Sequence, residues 1–197
     1  MKKVLGIGGS PRKGGNSDIL MKHLLRGARD GGASTEEIQL RDYQFQPCIG
    51  CERCRKDEKC TGLHDGMQLI YPKIEDAMGL VLICPVYSYN MTALMKSFID
   101  RLYSFYYFSD ERPGYWSSRL GNQGRKAIIS FVGEQSTLEE GGMNLSFETM
   151  RRSVEALGHE IIGEMPVPGI FHKGRVKEYS QILNQAENLG REFASRL

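Results

Sequence analysis

Apolar runs alternate with amphipathic segments along the chain, and this alternation predicts strands separated by helices. The strongest apolar run is GLVLICPVY, and glycine or charged residues bound most of the others. The predicted strands are residues 3–9, 34–42, 79–87, 125–133 and 159–167. Apolar residues at helical spacing predict helices at 18–32, 92–105, 141–158 and 174–197, and residues 67–78 form a further amphipathic piece. Asn16 or Ser17 is expected to cap the first helix, and Gly31 is expected to end it.

Five strands that alternate with helices predict an α/β domain with a parallel sheet, because right-handed crossovers place helices on both faces. We expect a doubly wound sheet with strand order 2-1-3-4-5. The chain is interpreted as one domain, residues 1–197, with a cysteine-rich loop at 47–61 and an aromatic insertion at 105–124. Ligands of such sheets bind outside the carboxyl ends of the strands, so the loops after the first, third and fourth strands matter most.

Composition and charge narrow the class of protein. A chain of 197 residues with 40% hydrophobic residues and a net charge of +2 is typical of globular domains, and it lacks the basic excess of a dedicated nucleic-acid binder. Residues 77–95 carry no formal charge, but their polar middle, PVYSYN, favours a strand, a loop and a helix start over a membrane span. The amino terminus has no signal-peptide pattern, so we expect a cytoplasmic protein with reduced thiols.

The segment GGSPRKGGNS joins the first strand to the first helix, where backbone amides and the helix dipole favour a phosphate. It fails the G-x-x-x-x-G-K-[ST] pattern, because Gly-Asn follows the second glycine, and it fails G-x-G-x-x-G because Pro11 replaces the third glycine. A backbone nest with short donors suits one terminal phosphate, such as that of FMN. The side chains expected to bind it are Ser10, Arg12, Asn16 and Ser17. A glycine-rich turn without a ligand is the alternative.

The loop CPVYSYN follows the third strand and should lie beside the phosphate loop. Tyr87, Tyr89 and the free amides around them suit the face and polar edge of a flat ring. The alternative is that the tyrosines only pack the loop.

Four of the five cysteines lie in CIGCERCRKDEKC, with the spacing C-x2-C-x2-C-x5-C. Three successive cysteines at this spacing favour a [4Fe-4S] cluster, because structural zinc sites usually combine two separated C-x2-C pairs. The predicted ligands are Cys48, Cys51, Cys54 and Cys60. A metal-free loop and a zinc site remain open.

Three motifs together resemble the NADPH-dependent FMN reductase group, and specifically its iron-sulfur flavoproteins. They are GSPRKGGNS, the cysteine segment and PVYSYNMTALMKSFIDR, in the family's order over residues 1–142. The resemblance implies a flavodoxin-like fold and an FMN whose phosphate lies on the four residues named above. It also implies that the isoalloxazine contacts Pro85, Val86, Tyr87, Ser88, Tyr89 and Asn90. Gly133 and Glu134 match the family's third loop by position only. Cys84 stands where the family often has Ser or Thr, and we expect a small buried thiol there.

The resemblance implies a flavin-dependent oxidoreductase in a homodimer or homotetramer. We expect FMN and the cluster to exchange electrons with ferredoxin or NAD(P)H as donor and with a small-molecule or protein acceptor, without a side chain as general acid or base. A cluster-free NAD(P)H-dependent FMN or quinone reductase is a second interpretation. A non-enzymatic redox sensor, whose cysteine loop orders a partner surface, is a third.

Several remaining features allow a structural explanation. The insertion 105–124 contains six of the eighteen Phe, Tyr and Trp residues, which suits a lid or subunit contact over the flavin or a self-packed surface loop. The four histidines show no ligand spacing. Lys96, Asp100 and Arg101 are expected on a solvated helix face.

Overall fold

A computed structural model of the chain describes residues 2–197. The strands are Lys3–Gly8 (β1), Ser34–Gln39 (β2), Gly79–Pro85 (β3), Tyr106–Phe108 (β4), Trp116–Ser118 (β5), Lys126–Val132 (β6) and Glu160–Val167 (β7). The α-helices are Asn16–Asp30 (α1), Arg53–Asp57 (α2), Met67–Asp76 (α3), Ala93–Arg101 (α4), Met143–Ala156 (α5) and Ser180–Arg196 (α6). Short 3-10 helices are Leu40–Asp42, Leu102–Phe105 and Arg175–Glu178.

Five strands form one parallel sheet in the order β2-β1-β3-β6-β7. Because β6 and β7 are the fourth and fifth strands of the sequence prediction, the doubly wound, flavodoxin-like order 2-1-3-4-5 is confirmed. Gly8 at the end of β1 pairs with Gln39 of β2 on one side and with Ile83 of β3 on the other. The chain reverses its direction of winding at β1, and the crevice that binds ligands in such sheets therefore lies beyond the carboxyl ends of β1 and β3.

The sheet separates two apolar clusters, because successive residues of a strand point to opposite faces. Leu80 and Leu82 of β3 join the cluster under α3, α4 and α5, whereas Val81 and Ile83 join the cluster under α1 and α6. Helices α1 and α6 cross closely: a side chain on Gly27 would overlap the Glu187 carbonyl. Within residues 2–197, none of the helices combines the length and apolar character needed to cross a bilayer.

Two predicted helix boundaries are wrong. Helix α1 begins at Asn16, with Gly15 as its N-cap and no capping side chain, so the expected caps Asn16 and Ser17 lie inside the first turn. The closing helix does not run through 174–197, since a 3-10 turn ends before Tyr179 and α6 begins at Ser180.

The aromatic insertion forms an antiparallel hairpin of β4 and β5. Its rings pack partly on one another, with the Tyr106 and Trp116 centroids 5.2 Å apart. The hairpin also contacts the cysteine loop: the Arg55 guanidinium lies 4.5 Å from the Phe108 ring and donates to the Ser109 carbonyl at 2.9 Å. Within the chain, the insertion therefore packs on itself and on the cysteine loop, and a lid or subunit contact over the flavin stays a prediction.

Candidate functional site

The loop between β1 and α1 forms one wall of a cavity at the carboxyl edge of the sheet. This cavity has a volume of about 270 Å³, and Ser10, Arg12, Asn16 and Ser17 all line it. Ser17 is only 3% exposed, so its hydroxyl is held at the wall of this cavity. The first N–H groups of α1 have no partner within the helix, so the cavity wall presents donors suited to an anion.

A buried ion pair holds the loop in this shape. Asp18 accepts from Arg41 at 2.7 Å and from the Gly14 N–H at 2.7 Å, and Arg41 also donates to the Ser10 carbonyl at 3.0 Å. The Arg41 charge is therefore balanced within the protein. Arg12 stays at the cavity edge, 5.3 Å from the centre of the Phe171 ring.

The loop after β3 turns back through Tyr87, Ser88, Tyr89 and Asn90. The Tyr87 and Asn90 backbones exchange hydrogen bonds of 2.8 and 3.0 Å, and φ is +47° at Ser88 and +66° at Tyr89. These values define a two-residue turn of type I′. Left-handed backbone at a side chain other than glycine costs about 1–2 kcal/mol and is concentrated at functional sites. Tyr87 is 40% exposed and Tyr89 64% exposed, so both rings are accessible.

This loop and the phosphate loop line a common space. Pro85, Val86, Tyr87, Ser88 and Glu134 border the same 270 Å³ cavity as the phosphate loop. An adjoining cavity of about 200 Å³ shares Val86, Ser88 and Glu134 with it and adds Tyr89 and Gly133. The structure thus brings together every predicted flavin-site residue except Asn90. The Asn90 side chain instead accepts from the Met91 N–H at 2.8 Å and lies 3.1 Å from the Thr149 hydroxyl, which ties the turn to α5.

Cys84 lies beneath this site and is fully buried, as predicted. The Thr92 N–H donates to its sulfur at 3.3 Å, and the Thr92 hydroxyl donates to the Gly9 carbonyl at 2.7 Å. Burial raises the pKa of the Cys84 thiol to about 11. A neutral thiol at this junction supports the ends of β1 and β3 and is a poor nucleophile.

The other four cysteines line a second cavity of about 400 Å³. Burial raises the pKa of the Cys54 thiol, and the neighbouring Cys60, Cys48 and Cys51 raise it further. The thiols are therefore close enough to repel one another when ionised. Gly62 leaves room for Cys51, whose sulfur would overlap a side chain at that position. In the described part of the chain, no three His, Cys, Asp or Glu residues are arranged to hold a metal ion.

Arg101 borders the cysteine cavity and is 2% exposed, so its expected place on a solvated helix face is wrong. It pairs with Asp65 at 2.7 Å, donates to the Gln46 carbonyl at 2.8 Å and points Nη2 at Cys60 Sγ at 3.5 Å. Lys96 and Asp100, by contrast, form an exposed ion pair as expected.

Helix α4 connects the two cavities. Its N-cap Thr92 bonds to Gly9 and Cys84, which directly precede residues that line the first cavity, and its last residue, Arg101, borders the second. Nine residues of helix span about 14 Å.

The sequence prediction missed the loop after β7, residues 168–174, which contributes Ile170, Phe171 and Lys173 to the 270 Å³ cavity. The signal was available: GIFHKG follows the fifth strand directly, and the carboxyl ends of parallel strands lie at one edge of the sheet.

Comparison with known proteins identifies the family of this chain. The sequence model of the NADPH-dependent FMN reductase family matches residues 2–134, more than half of the chain. The chain belongs to the NADPH-dependent FMN reductase family. The phosphate loop, the cysteine loop, the turn after β3 and Glu134 all fall within the matched residues, and the family predicted from the sequence is confirmed.

Among relatives of this FMN reductase family member, an iron-sulfur flavoprotein of Archaeoglobus fulgidus is 33% identical over 192 residues, 98% of this chain and 79% of the relative. An iron-sulfur flavoprotein of Methanocaldococcus jannaschii is 39% identical over 99 residues, 50% of this chain and 51% of the relative. An iron-sulfur flavoprotein of Methanosarcina thermophila is 35% identical over 99 residues, 50% and 51% of the two chains. The chain thus spans about half the length of the latter two, at 51% each.

Solved structures share the fold. An NAD(P)H:quinone oxidoreductase from Methanothermobacter marburgensis superposes with a TM-score of 0.72 at 18% identity, covering 96% of this chain and 98% of that one. An FMN-dependent NADH-azoreductase from Bacillus anthracis in complex with FMN gives 0.68 at 17% identity, covering 100% and 99%. A flavodoxin from the domain Archaea gives 0.59 at 12% identity, covering 98% and 97%. This FMN reductase family member therefore has a flavodoxin-like fold.

Proposed function

We propose that this chain is an FMN-dependent oxidoreductase that passes electrons between a donor and an acceptor with the help of a [4Fe-4S] cluster. The observation that carries the proposal is the 270 Å³ cavity that the phosphate loop shares with residues 85–88 and Glu134. The chain's membership in the FMN reductase family supports FMN as the ligand.

The residues of this cavity divide into two groups by chemistry. Ser10, Ser17, the N-terminal amides of α1 and Arg12 supply donors and charge for a terminal phosphate. Residues 85–89 supply aromatic faces and backbone polar groups for the ring system, and Gly133 and Glu134 line the same space. Asn16 contributes its backbone N–H, because both ends of its side-chain amide bond to residues 172 and 176.

The cysteine cavity suits a polynuclear cluster. The spacing of Cys48, Cys51 and Cys54 favours a [4Fe-4S] cluster over a zinc ion. Together with Cys60, these residues line a space of about 400 Å³. We assign these four as cluster ligands, and Arg101 supplies positive charge beside Cys60.

FMN exchanges either a hydride or single electrons, and a [4Fe-4S] cluster exchanges single electrons, so a protein that holds both converts between the two. The chain's own contribution is to hold both sites on one unit, since Thr92 at one end of α4 bonds to Gly9 and Cys84 beneath the first site and Arg101 at the other end borders the second. We assign no side chain as a general acid or base.

Donors in this proposal are ferredoxin or NAD(P)H, and the acceptor is a small molecule or a protein. Exposed Arg53, Lys56 and Lys59 beside the cysteines would favour an acidic protein partner. Exposed Tyr115 and Trp116 on the hairpin, 90% and 54% exposed, would suit a contact between subunits of a homodimer or homotetramer. We also propose that the protein is located in the cytoplasm.

A cluster-free NAD(P)H-dependent FMN or quinone reductase is the second candidate. The observation that favours it is the adjoining 200 Å³ cavity beside Tyr89, which leaves room for a small flat molecule next to the proposed ring site.

Stopped-flow reduction under anaerobic conditions separates the candidates. NADH, NADPH and reduced ferredoxin are each mixed with the native chain and with a Cys60→Ser variant, and flavin bleaching is followed. Fast bleaching by ferredoxin that requires Cys60 supports the cluster-containing function. Fast bleaching by NAD(P)H that survives the substitution supports the cluster-free reductase. If no donor bleaches the flavin and only partner binding follows cluster content, the chain is a redox sensor and the proposal is wrong.

A further inference from the structure

The loop after β7, residues 168–174, is fastened to the N-terminus of α1. Asn16 Nδ2 donates to the His172 carbonyl at 3.0 Å, and Asn16 Oδ1 accepts from the Val176 N–H at 3.2 Å. Asn16 is only 8% exposed, so these bonds are shielded from water. A side chain in the first turn of α1 thus sets the position of a loop more than 150 residues away in sequence.

Two cations, Arg12 and Lys173, lie close to the phosphate loop and the attached loop. The Arg12 guanidinium lies 5.3 Å from the centre of the Phe171 ring, and a Cβ built on Gly14 would lie 3.7 Å from Lys173 Cε. Arg12 and Lys173 also line the same cavity. Among residues 2–197, neither side chain takes part in an ion pair.

The unbalanced charge matches what a phosphomonoester needs. Such a group carries a charge of about −1.5 to −2 at pH 7. Arg41, which donates to the Ser10 carbonyl, is already paired with Asp18. Arg12 and Lys173, which come from opposite ends of the chain, are therefore the charges available at the cavity.

We propose that the loop after β7 forms the second wall of the phosphate site, with Lys173 binding the terminal phosphate of the flavin nucleotide and Asn16 holding the loop in place. This inference rests on the proposed function, since it assumes that FMN occupies the cavity. Lys173, in the loop after β7, would then add a charged contact to a phosphate site that the loop after β1 otherwise forms.

The test compares Lys173→Met with Lys177→Met, which removes the same charge from an exposed residue that does not line the cavity. Dissociation constants of FMN and riboflavin are measured by fluorescence titration of the apo-protein, after circular dichroism has shown that both variants are folded. Riboflavin has the same rings but no phosphate. We expect Lys173→Met to weaken FMN binding about tenfold and to leave riboflavin binding unchanged. Lys177→Met should change neither.

If Lys173→Met leaves the ratio of the two dissociation constants unchanged, the inference is overturned while FMN binding itself stands. If the native chain binds neither FMN nor riboflavin, the proposed function is overturned and the inference with it. These two failures are distinguishable because the native chain is measured in the same series.

A second variant tests the attachment. Asn16→Ala should speed amide hydrogen exchange in residues 168–176 of the FMN-free chain, because it removes both bonds to that loop. Asn16→Ala should also weaken the binding of FMN more than the binding of riboflavin. Unchanged exchange in this segment would show that Asn16 does not hold the loop, and that part of the inference would be wrong.

Discussion

Arg101 Nη2 lies 3.5 Å from Cys60 Sγ, and the same guanidinium pairs with Asp65 at 2.7 Å. A buried cation that faces a cluster thiolate stabilises the reduced cluster, because reduction adds negative charge. We expect Arg101→Lys, which keeps the charge but loses the N–H directed at Cys60 Sγ, to lower the reduction potential of the proposed cluster by on the order of 50 mV, close to a tenfold change in a one-electron equilibrium. EPR-monitored redox titration measures this shift.

The control for this prediction is Asp65→Asn, which weakens the same ion pair but leaves the guanidinium beside Cys60. Because this variant removes a negative charge near Cys60, the potential should rise, opposite in sign to the shift in Arg101→Lys. A fall of equal size in both variants would mean that the loop has loosened and that Arg101 does not act on the sulfur.

Cysteine substitutions should distinguish the proposed cluster ligand Cys60 from Cys84, which packs beneath the flavin site. Cys60→Ser should lose most of the bound iron, because a hydroxyl replaces a thiolate at the cluster cavity. Cys84→Ser should keep its iron, since Cys84 is buried and bonds to Thr92 instead. Iron and acid-labile sulfide per chain, determined after anaerobic purification, provide the measurement. Equal iron contents in the two variants would refute the assignment.

The turn after β3 stores strain that an asparagine would relieve. Tyr89 has φ of +66°, and asparagine tolerates left-handed backbone better than tyrosine. Tyr89→Asn should raise the free energy of unfolding by about 1 kcal/mol in urea titrations. It should weaken the binding of FMN and of riboflavin by the same factor, because it removes a contact to the ring system and none to the phosphate. Tyr115→Asn on the hairpin is the control, and it should leave both affinities unchanged.

His159 should make the protein less stable in mild acid. It is 2% exposed, neither ring nitrogen has a hydrogen-bond partner among residues 2–197, and burial together with the Arg125 charge lowers its pKa to about 4. Between pH 6.5 and 4 the unfolded chain binds a proton at this residue and the folded chain does not. Its contribution, about 3 kcal/mol, is therefore present above pH 6.5 and lost as the pH falls to 4.

Urea unfolding at several pH values tests this assignment. His159→Leu should flatten the dependence of the unfolding free energy on pH between 6.5 and 4, whereas exposed His64→Leu should not. A native-like slope in His159→Leu would assign the dependence to other groups.

Local sequence patterns were sufficient to predict the strands of the sheet and their order. The apolar runs of β1, β3 and β6 and the alternating helices predicted the strand order, because crossover chirality leaves few other arrangements. Long-range contacts were not predictable in this way. Asn16 looked like a helix cap, yet its amide reaches residues 172 and 176, which no local pattern reveals.

In the candidate site, too, the parts that lie in sequence motifs were predictable and the long-range contacts were not. The phosphate loop and the turn after β3 were predicted from motifs, and the cavity they share agrees with that prediction. Arg101 was assigned to a solvated surface because its partner Asp65 lies 36 residues away, in the segment between the cysteines and α3. The hairpin of the insertion was also missed, since its strands of three residues each lack a clear alternating pattern.

FMN is proposed to occupy the cavity between the phosphate loop and the turn after β3. Flavin content decides this, measured by absorbance and by FMN released on denaturation of chain purified anaerobically from its natural host. We expect a coloured protein with one FMN per chain, and an Arg12→Ala variant with much less. Colourless protein that also fails to bind added FMN at 100 µM would show that the cavity does not hold FMN.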